Sequence, residues 1–294
     1  MTSGNNITFL APTNQAIENL EREMKSLVGN KQEMDQVLRY HCIKERKLMY
    51  KDFQDGQTIE TELKIKTLND AHQRIRVFRC KDTVSLNLFV RIQEKDTVTQ
   101  NGVIHIVDRV LIPPMNMLET LDIAPSMFST WLLACERVGI DKTLCSQNGL
   151  TAFIPTNAAW KNLGLMANAY LFSCEGEKDL KRIVEYHLAL PKQVLYADQL
   201  VKEKKVQLES ILKGEKIELI AEEMKKGERQ LMNFGENGDL NPGVNPWHYR
   251  MLLNRGESRI VLTDVVCENG NAFLINMVMI PDNVEFGHRV QRRI

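Results

Sequence analysis

The chain has 294 residues, 43% hydrophobic and 26% charged, the proportions of ordinary soluble globular protein at a length that predicts about two domains. With 38 basic against 38 acidic residues there is no bulk electrostatic pull toward nucleic acid or an anionic membrane, which argues against a nucleic-acid role. No run of 18 apolar residues exists to cross a bilayer as a helix. The start, MTSGNNITFLAP, lacks the basic residues and continuous apolar centre of a signal peptide.

In chain order, Ile7 to Leu10 reads as a short apolar strand closed by Ala11-Pro12, since proline has no amide to donate to a ladder. Thr13 and Asn14 offer cap oxygens to a helix whose apolar positions in AIENLEREM recur at helical spacing. Lys31 to His41 predicts a second helix, with Met34, Val37, Leu38 and His41 on one face. From Thr58 to Val110 the period changes to two. Thr58 to Leu63, Arg74 to Phe78, Ser85 to Val90 and Val103 to Val107 read as successive strands. Asn101-Gly102 is a favoured tight-turn pair because both residues tolerate positive φ, so the strand after it pairs back on the one before. Ile112-Pro113-Pro114 closes this region, and the linker that follows is short enough to restrict the angle between neighbours.

The second half opens on a helical preamble, MNMLETLDIAPSMFSTWLLACERVGIDKTLCSQNG. FIPTN then enters a helix through AAWKNLG, with Gly164 as its stop. Lys178 to Leu188 predicts a helix carrying Leu180, Ile183, Val184 and His187 on its apolar side. Strands are expected over Lys205 to Ile220, Ser258 to Val266 and Asn271 to Ile280. Between the first two of these, Glu222 to Arg255 holds four glycines, two prolines and five asparagines and reads as an irregular loop, of a length uncommon unless functional or disordered. Trp247 and Tyr249 at its centre read either as an exposed aromatic contact or as an anchor that folds the loop back.

The halves are copies. TFLAPTN at Thr8 to Asn14 recurs as TAFIPTN at Thr151 to Asn157, Tyr40-His41 recurs as Tyr186-His187, and Asn101-Gly102 recurs as Asn269-Gly270, in the same order. Self-similarity on this scale means two copies of one domain. The expected boundaries are residues 1–114 for the first domain, 115–284 for the second with its long loop at about 222–255, and 285–294 for a basic tail. The second copy has a helical preamble that the first lacks, so the first domain reads as trimmed.

Catalytic chemistry has no foothold in the motifs: GxSxG, a P-loop, GxGxxG and HExxH are all absent from the sequence. His105 and Asp108 lie three apart on a strand and so on opposite faces, which bars a direct dyad. The six cysteines form no CxxC pair and no zinc spacing with histidine, so no metal or other cofactor is expected. They read either as free thiols or, for Cys135 with Cys145, as a disulfide of an oxidising compartment. Asn6-Ile7-Thr8 is a glycosylation sequon, meaningful in a secretory compartment. His41 and His187 read as core residues bonded to backbone carbonyls, or as parts of partner-binding edges formed by Tyr40, His41, Tyr186 and His187. Lys44, Arg46 and Lys47, with Arg74, Arg76 and Arg79, read as a solvated face protecting an edge strand, or as a site for an acidic glycan or anionic headgroup.

Once these blocks are placed, both halves resemble fasciclin-type (FAS1) domains. Thr8 to Ile17 and Thr151 to Trp160 match the family's first block, the two Tyr-His pairs follow, and Asn101 to Pro113 matches the second block nearly in full. Asn269 to Pro281 matches it loosely, with Phe273 at the histidine position and Asn276 at the aspartate position. The resemblance implies an α+β fold, each domain a wedge or sandwich of strands with packed helices. It further implies a non-catalytic adhesion module that binds a protein partner or itself, at the cell surface or in an organelle lumen such as the fungal vacuole. Membrane tethering would come through segments outside this chain. The lumenal part of an organelle membrane protein aiding tethering or fusion, and an intracellular scaffold, stand as alternatives.

Overall fold

The computed structural model describes residues 6–24, 29–87, 89–190, 194–223, 249–282 and 284. The chain divides into two compact units, residues 1–114 and 115–294. The first contains β1 (Ile7–Pro12), α1 (Asn14–Glu23), α2 (Lys31–Tyr40), β2 (Cys42–Ile43), β3 (Thr58–Ile65), β4 (Ala71–Cys80), β5 (Thr83–Leu86), β6 (Val90–Thr99) and β7 (Gly102–Val107). Its seven strands lie in the order β2-β1-β7-β6-β5-β4-β3.

The second unit opens on a helical layer, α3 (Met117–Asp122), α4 (Pro125–Arg137) and α5 (Asp141–Ser146). It continues through β8 (Leu150–Pro155), α6 (Asn157–Asn162), α7 (Leu165–Leu171), α8 (Glu177–Tyr186), β9 (Leu188–Ala189) and α9 (Ala197–Glu203). The strands β10 (Lys205–Glu209), β11 (Lys216–Glu223), β12 (Tyr249–Leu253), β13 (Ser258–Cys267) and β14 (Gly270–Ile275) complete it. The order β10-β11-β12-β13-β14-β8-β9 is that of the first sheet read from its other end. Both units are mixed α+β.

Each sheet is antiparallel except where its first strand meets its last, β1 beside β7 and β8 beside β14. That parallel contact explains the Asn-Gly pairs better than turn chemistry does. Neither Asn101 nor Gly102 takes a positive φ. A Cβ built on Gly102 would instead fall on the carbonyl oxygen of Ile7, and one on Gly270 on that of Leu150, so glycine is required for close backbone approach.

The Pro-Thr-Asn segments turn strand into helix in the same way twice. Thr13 Oγ1 accepts the Ala16 amide at 3.1 Å and Thr156 Oγ1 the Ala159 amide at 3.2 Å, each satisfying one orphan donor of a helix start. Thr13, not Asn14, is therefore the cap. In the second unit the rings of Phe153 and Phe273 stack at 5.6 Å in a core with Leu200, Leu219 and Leu253. Burial of each such side chain contributes about 2 kcal/mol.

Several expectations are corrected. The helix ending the Tyr-His motif stops at Tyr40, with His41 as its C-cap. Lys205 to Ile220 is not one strand but the antiparallel pair β10 and β11, broken by the turn that includes Gly214 at φ 89°. The end of the expected loop is strand β12, paired with β11. β5 stops at Leu86, and β6, which had no clear alternation, spans ten residues with bulges around Asp96. Trp247 and the 285–294 tail lie outside the described residues. Tyr249 is the first residue of β12.

Candidate functional site

The three repeated blocks converge in each unit on one set of hydrogen bonds. At the C-terminus of α2, His41 is buried; its Nδ1–H donates to the Val37 carbonyl at 2.7 Å, and its Nε2 accepts the Leu111 amide at 2.9 Å. At the C-terminus of α8, His187 donates to the Ile183 carbonyl at 2.7 Å and accepts the Met279 amide at 3.0 Å. One imidazole thus closes a helix end and holds the segment leaving the last strand. The amide donors fix the tautomer, because each Nε2 must be unprotonated to accept. Burial lowers the pKa of His41 and brings that of His187 down to about 4, despite the carbonyl bond that opposes the shift.

The tyrosine beside each histidine is buried as well. Tyr40 Oη donates to the Arg74 carbonyl at 2.9 Å and accepts from Asn87 Nδ2 at 2.7 Å. Tyr186 Oη donates to the Lys216 carbonyl at 3.3 Å and accepts from Asn254 Nδ2 at 3.0 Å. Asn87 and Asn254 each sit just past a strand in the left-handed region, φ 47° and 48°, and each Oδ1 accepts a strand amide, from Arg76 at 2.9 Å and from Glu218 at 3.1 Å. Sequence reasoning missed both asparagines. Their separation in the chain, 167 residues, matches that of the last repeated block within one residue and was the available signal.

A third link uses the opening threonines. Thr8 Oγ1 accepts the Leu48 amide at 2.8 Å and Thr151 Oγ1 the Leu195 amide at 3.0 Å. In the first unit His105 Nε2–H then donates to the Leu48 carbonyl at 2.8 Å, and Nδ1 accepts the amide of Asp96, whose Oδ1 takes the Tyr50 amide. In the second unit Phe273 occupies the matching position, and Asn271 supplies the bond. Its Nδ2 donates at 2.8 Å both to the Leu195 carbonyl and to Asp264 Oδ1, which takes the Ala197 amide. The loosened motif therefore keeps its bond by moving the donor two residues along the strand.

Tyr40, His41, Tyr186 and His187 are thus committed to the interior, at 0%, 2%, 7% and 0% exposure. Their side chains are out of a partner's reach in the folded domains, and the reading of them as an exposed contact edge is corrected on that ground. The basic cluster divides too. β4 lies between β3 and β5, so it is no edge strand. Arg74 pairs with Glu60 at 2.8 Å and bonds Thr58, Arg76 is buried over the Phe78 ring, and Arg79 donates to the carbonyls of Tyr50 and Phe53 at 3.1 and 2.9 Å. Only Lys44, Arg46 and Lys47 are exposed. Asn6, exposed at the entry to β1, leaves the sequon asparagine accessible.

None of the six cysteines forms a disulfide, Cys135 and Cys145 included. Burial and the neighbouring Glu62 raise the Cys42 thiol to about 11, and burial raises Cys267 to about 12, opposite to the shift a nucleophile needs. Among the described residues no group of three or more potential metal ligands converges. An open groove of about 420 Å³ is lined by Asp35, Arg39, Glu62 and His72, but Arg39 pairs with Asp35 at 2.7 Å and His72 Nδ1 bonds the Thr61 carbonyl. Asp108 accepts the Arg91 amide at 2.7 Å, a local structural bond with no link to His105.

Periostin of Homo sapiens is 26% identical over 182 residues, 62% of this chain and 20% of that protein. The transforming growth factor-beta-induced protein ig-h3 of Oryctolagus cuniculus is 24% identical over 281 residues, 95% of this chain and 35% of that protein. The chain spans about a fifth to a third of the length of these relatives. A solved FAS1 domain pair from the insect cell adhesion molecule fasciclin I superimposes with a TM-score of 0.48 at 21% identity, over 95% of this chain and 90% of that one. A Fasciclin domain model matches residues 1–113 and 126–281. The match takes in nearly all of the first unit and most of the second, both units carry the same helix-end histidine, tyrosine and asparagine bonds, and the chain belongs to the Fasciclin domain family.

Proposed function

We propose that this chain is a non-catalytic adhesion module that binds a protein partner or itself, outside the cell or in an organelle lumen. One observation carries the reading. The histidines and tyrosines of the repeated motifs, with Asn87 and Asn254, bond backbone groups of their own domain, in the same geometry twice, so the motifs build a scaffold and leave recognition to the surface. Two such scaffolds in one chain suit weak contacts, because linkage raises the effective concentration of the second contact. Among the described residues no helix is long and apolar enough to cross a membrane, so tethering would use segments outside these residues. The exposed Asn6 suits a glycan.

A second reading, an intracellular scaffold, is favoured by Cys80, Cys145 and Cys174, three exposed free thiols that an oxidising compartment would engage. The two readings separate by intact mass of the protein from its native source after blocking free thiols. A glycan on Asn6 supports the lumenal or extracellular reading, and an unmodified chain with six free thiols supports the scaffold. Adhesion itself is tested with beads carrying the folded chain. Retention on cells or on other coated beads above that of heat-unfolded chain is expected, and retention no greater than the unfolded control refutes the module.

A further inference from the structure

The first unit carries a charged groove, and its origin is a longer hairpin. The pairs Glu60–Arg74 and Glu209–Lys216 are equivalent, because the Arg74 and Lys216 carbonyls each accept the tyrosine of their unit. The β10–β11 ladder stops at that pair, whereas β3 and β4 run on to pair Ile65 with Ala71. Leu63, Ile65 and Leu68 are buried and anchor the extension. The seam beside it differs too. In the second unit the Leu190 amide donates to the Glu209 carbonyl at 2.7 Å and the Ile211 amide to the Leu188 carbonyl at 2.8 Å, tying β9 to β10. Among the described residues no backbone hydrogen bond ties β2 to β3.

The groove of about 420 Å³ opens at that seam, between α2 and the extended hairpin. Helices α3 to α5 leave the corresponding side of α8 open, since Lys181, at the place of Asp35, keeps 55% of its side chain exposed. The groove is therefore not the place where that helical layer packs. Its carboxylates are already engaged, with Arg39 Nε 2.7 Å from Asp35 and Arg39 Nη1 3.8 Å from Glu62. Lys44, just past β2, and Lys64 of β3 are exposed, and neither forms an ion pair among the described residues. Lys64 and His72 are register partners, so they stand side by side on one wall. Three fixed cations, Arg39, Lys44 and Lys64, thus outnumber two carboxylates.

We propose that this groove binds an acidic segment of a partner protein, with Lys44 and Lys64 each taking a carboxylate. The proposal deepens the adhesion reading and rests on it. A densely sulfated glycan fits less well, because its closely spaced anions meet Asp35 and Glu62 as well as the lysines, whereas a polypeptide can space its carboxylates to avoid them. Exposed charges attract weakly in water and are screened by salt, so the contact is weak and salt-sensitive.

The test titrates the full chain into a fluorescein-labelled eight-residue peptide of alternating Asp and Ser, followed by anisotropy at low salt. Saturable one-to-one binding is expected, weakened about fivefold or more when Lys44→Ser and Lys64→Ser are combined. Both side chains are exposed, so that variant keeps the native circular dichroism. Lys161→Ser with Lys178→Ser, two exposed lysines of the second unit, removes the same charge and leaves binding unchanged. No saturable binding at millimolar peptide, or equal binding by the groove variant and the parent chain, overturns the proposal. An equal loss in the two double variants overturns it as well, since only net charge would then matter. So does heparin that binds more tightly than the peptide and is lost in the groove variant alone, which would assign the groove to a sulfated glycan. Absent peptide binding with bead adhesion intact refutes this inference alone, whereas absent adhesion with peptide binding intact refutes the module.

Discussion

Acidification should destabilise the second unit through His187. The folded ring stays neutral down to about pH 4 because it is enclosed and because its Nε2 must accept the Met279 amide, whereas the unfolded ring takes a proton near 6.5. Between those values the unfolded chain binds more protons, so stability is fully present above about pH 6.5, falls as the pH drops toward about 4, and levels off below. A depression of that size corresponds to about 3 kcal/mol. All three tryptophans, Trp131, Trp160 and Trp247, fall within residues 115–294, so intrinsic fluorescence during urea unfolding reports this unit. His187→Phe removes both bonds and leaves the Met279 amide without its acceptor, a loss of about 2 to 4 kcal/mol at pH 7. It also removes the titration. The stability gap between parent and variant should therefore narrow by most of that 3 kcal/mol from pH 7 to pH 4. A gap that stays constant across that range would refute the assignment of a neutral, doubly bonded imidazole.

Three further outcomes follow from the geometry. Gly270→Ala places a methyl group on the Leu150 carbonyl oxygen and should lower stability by about 2 kcal/mol or more, seen as a fall in Tm; an unchanged Tm would show that β8 and β14 can separate without cost. Asn254→Ala loses the bonds to Tyr186 Oη and the Glu218 amide and keeps a left-handed backbone, a cost of about 2 kcal/mol, while a return to parental stability in Asn254→Gly would mean that backbone strain alone matters. Arg79→Ser should cost about 1 to 2 kcal/mol by stranding the Tyr50 and Phe53 carbonyls, and should leave retention on a sulfated-glycan column unchanged. Earlier elution of the variant would restore Arg79 to an acidic-ligand site.

What was legible in the chain was whatever local chemistry repeats. Pro-Thr-Asn announces a strand that ends in a capped helix, because a missing amide and a short oxygen-bearing side chain act within three residues. The three ordered blocks disclosed two copies of one domain for the same reason. Asn87 and Asn254 were harder, since an asparagine past a strand looks like any turn residue until the tyrosine it bonds, 47 or 68 positions earlier in the chain, is brought beside it. β12 was concealed because Met251, Leu252 and Leu253 are apolar in succession, with no polar alternation, and follow a stretch rich in glycine and asparagine.

By itself, then, the sequence determined the number of domains, their common fold, and the residues on which each fold is hung. Whether those residues face a partner or the interior was decided only by tertiary packing. A Tyr-His pair at a helix end has one spacing whether it is a contact edge or a clasp. The distinction lies in the carbonyls and amides that long-range folding delivers to its ring atoms. The same holds for Arg74, Arg76 and Arg79, which form a basic run along the chain, whereas in the fold Arg76 is buried against Phe78 and Arg74 and Arg79 are half-buried and bonded to Glu60, Thr58 and the Tyr50 and Phe53 carbonyls.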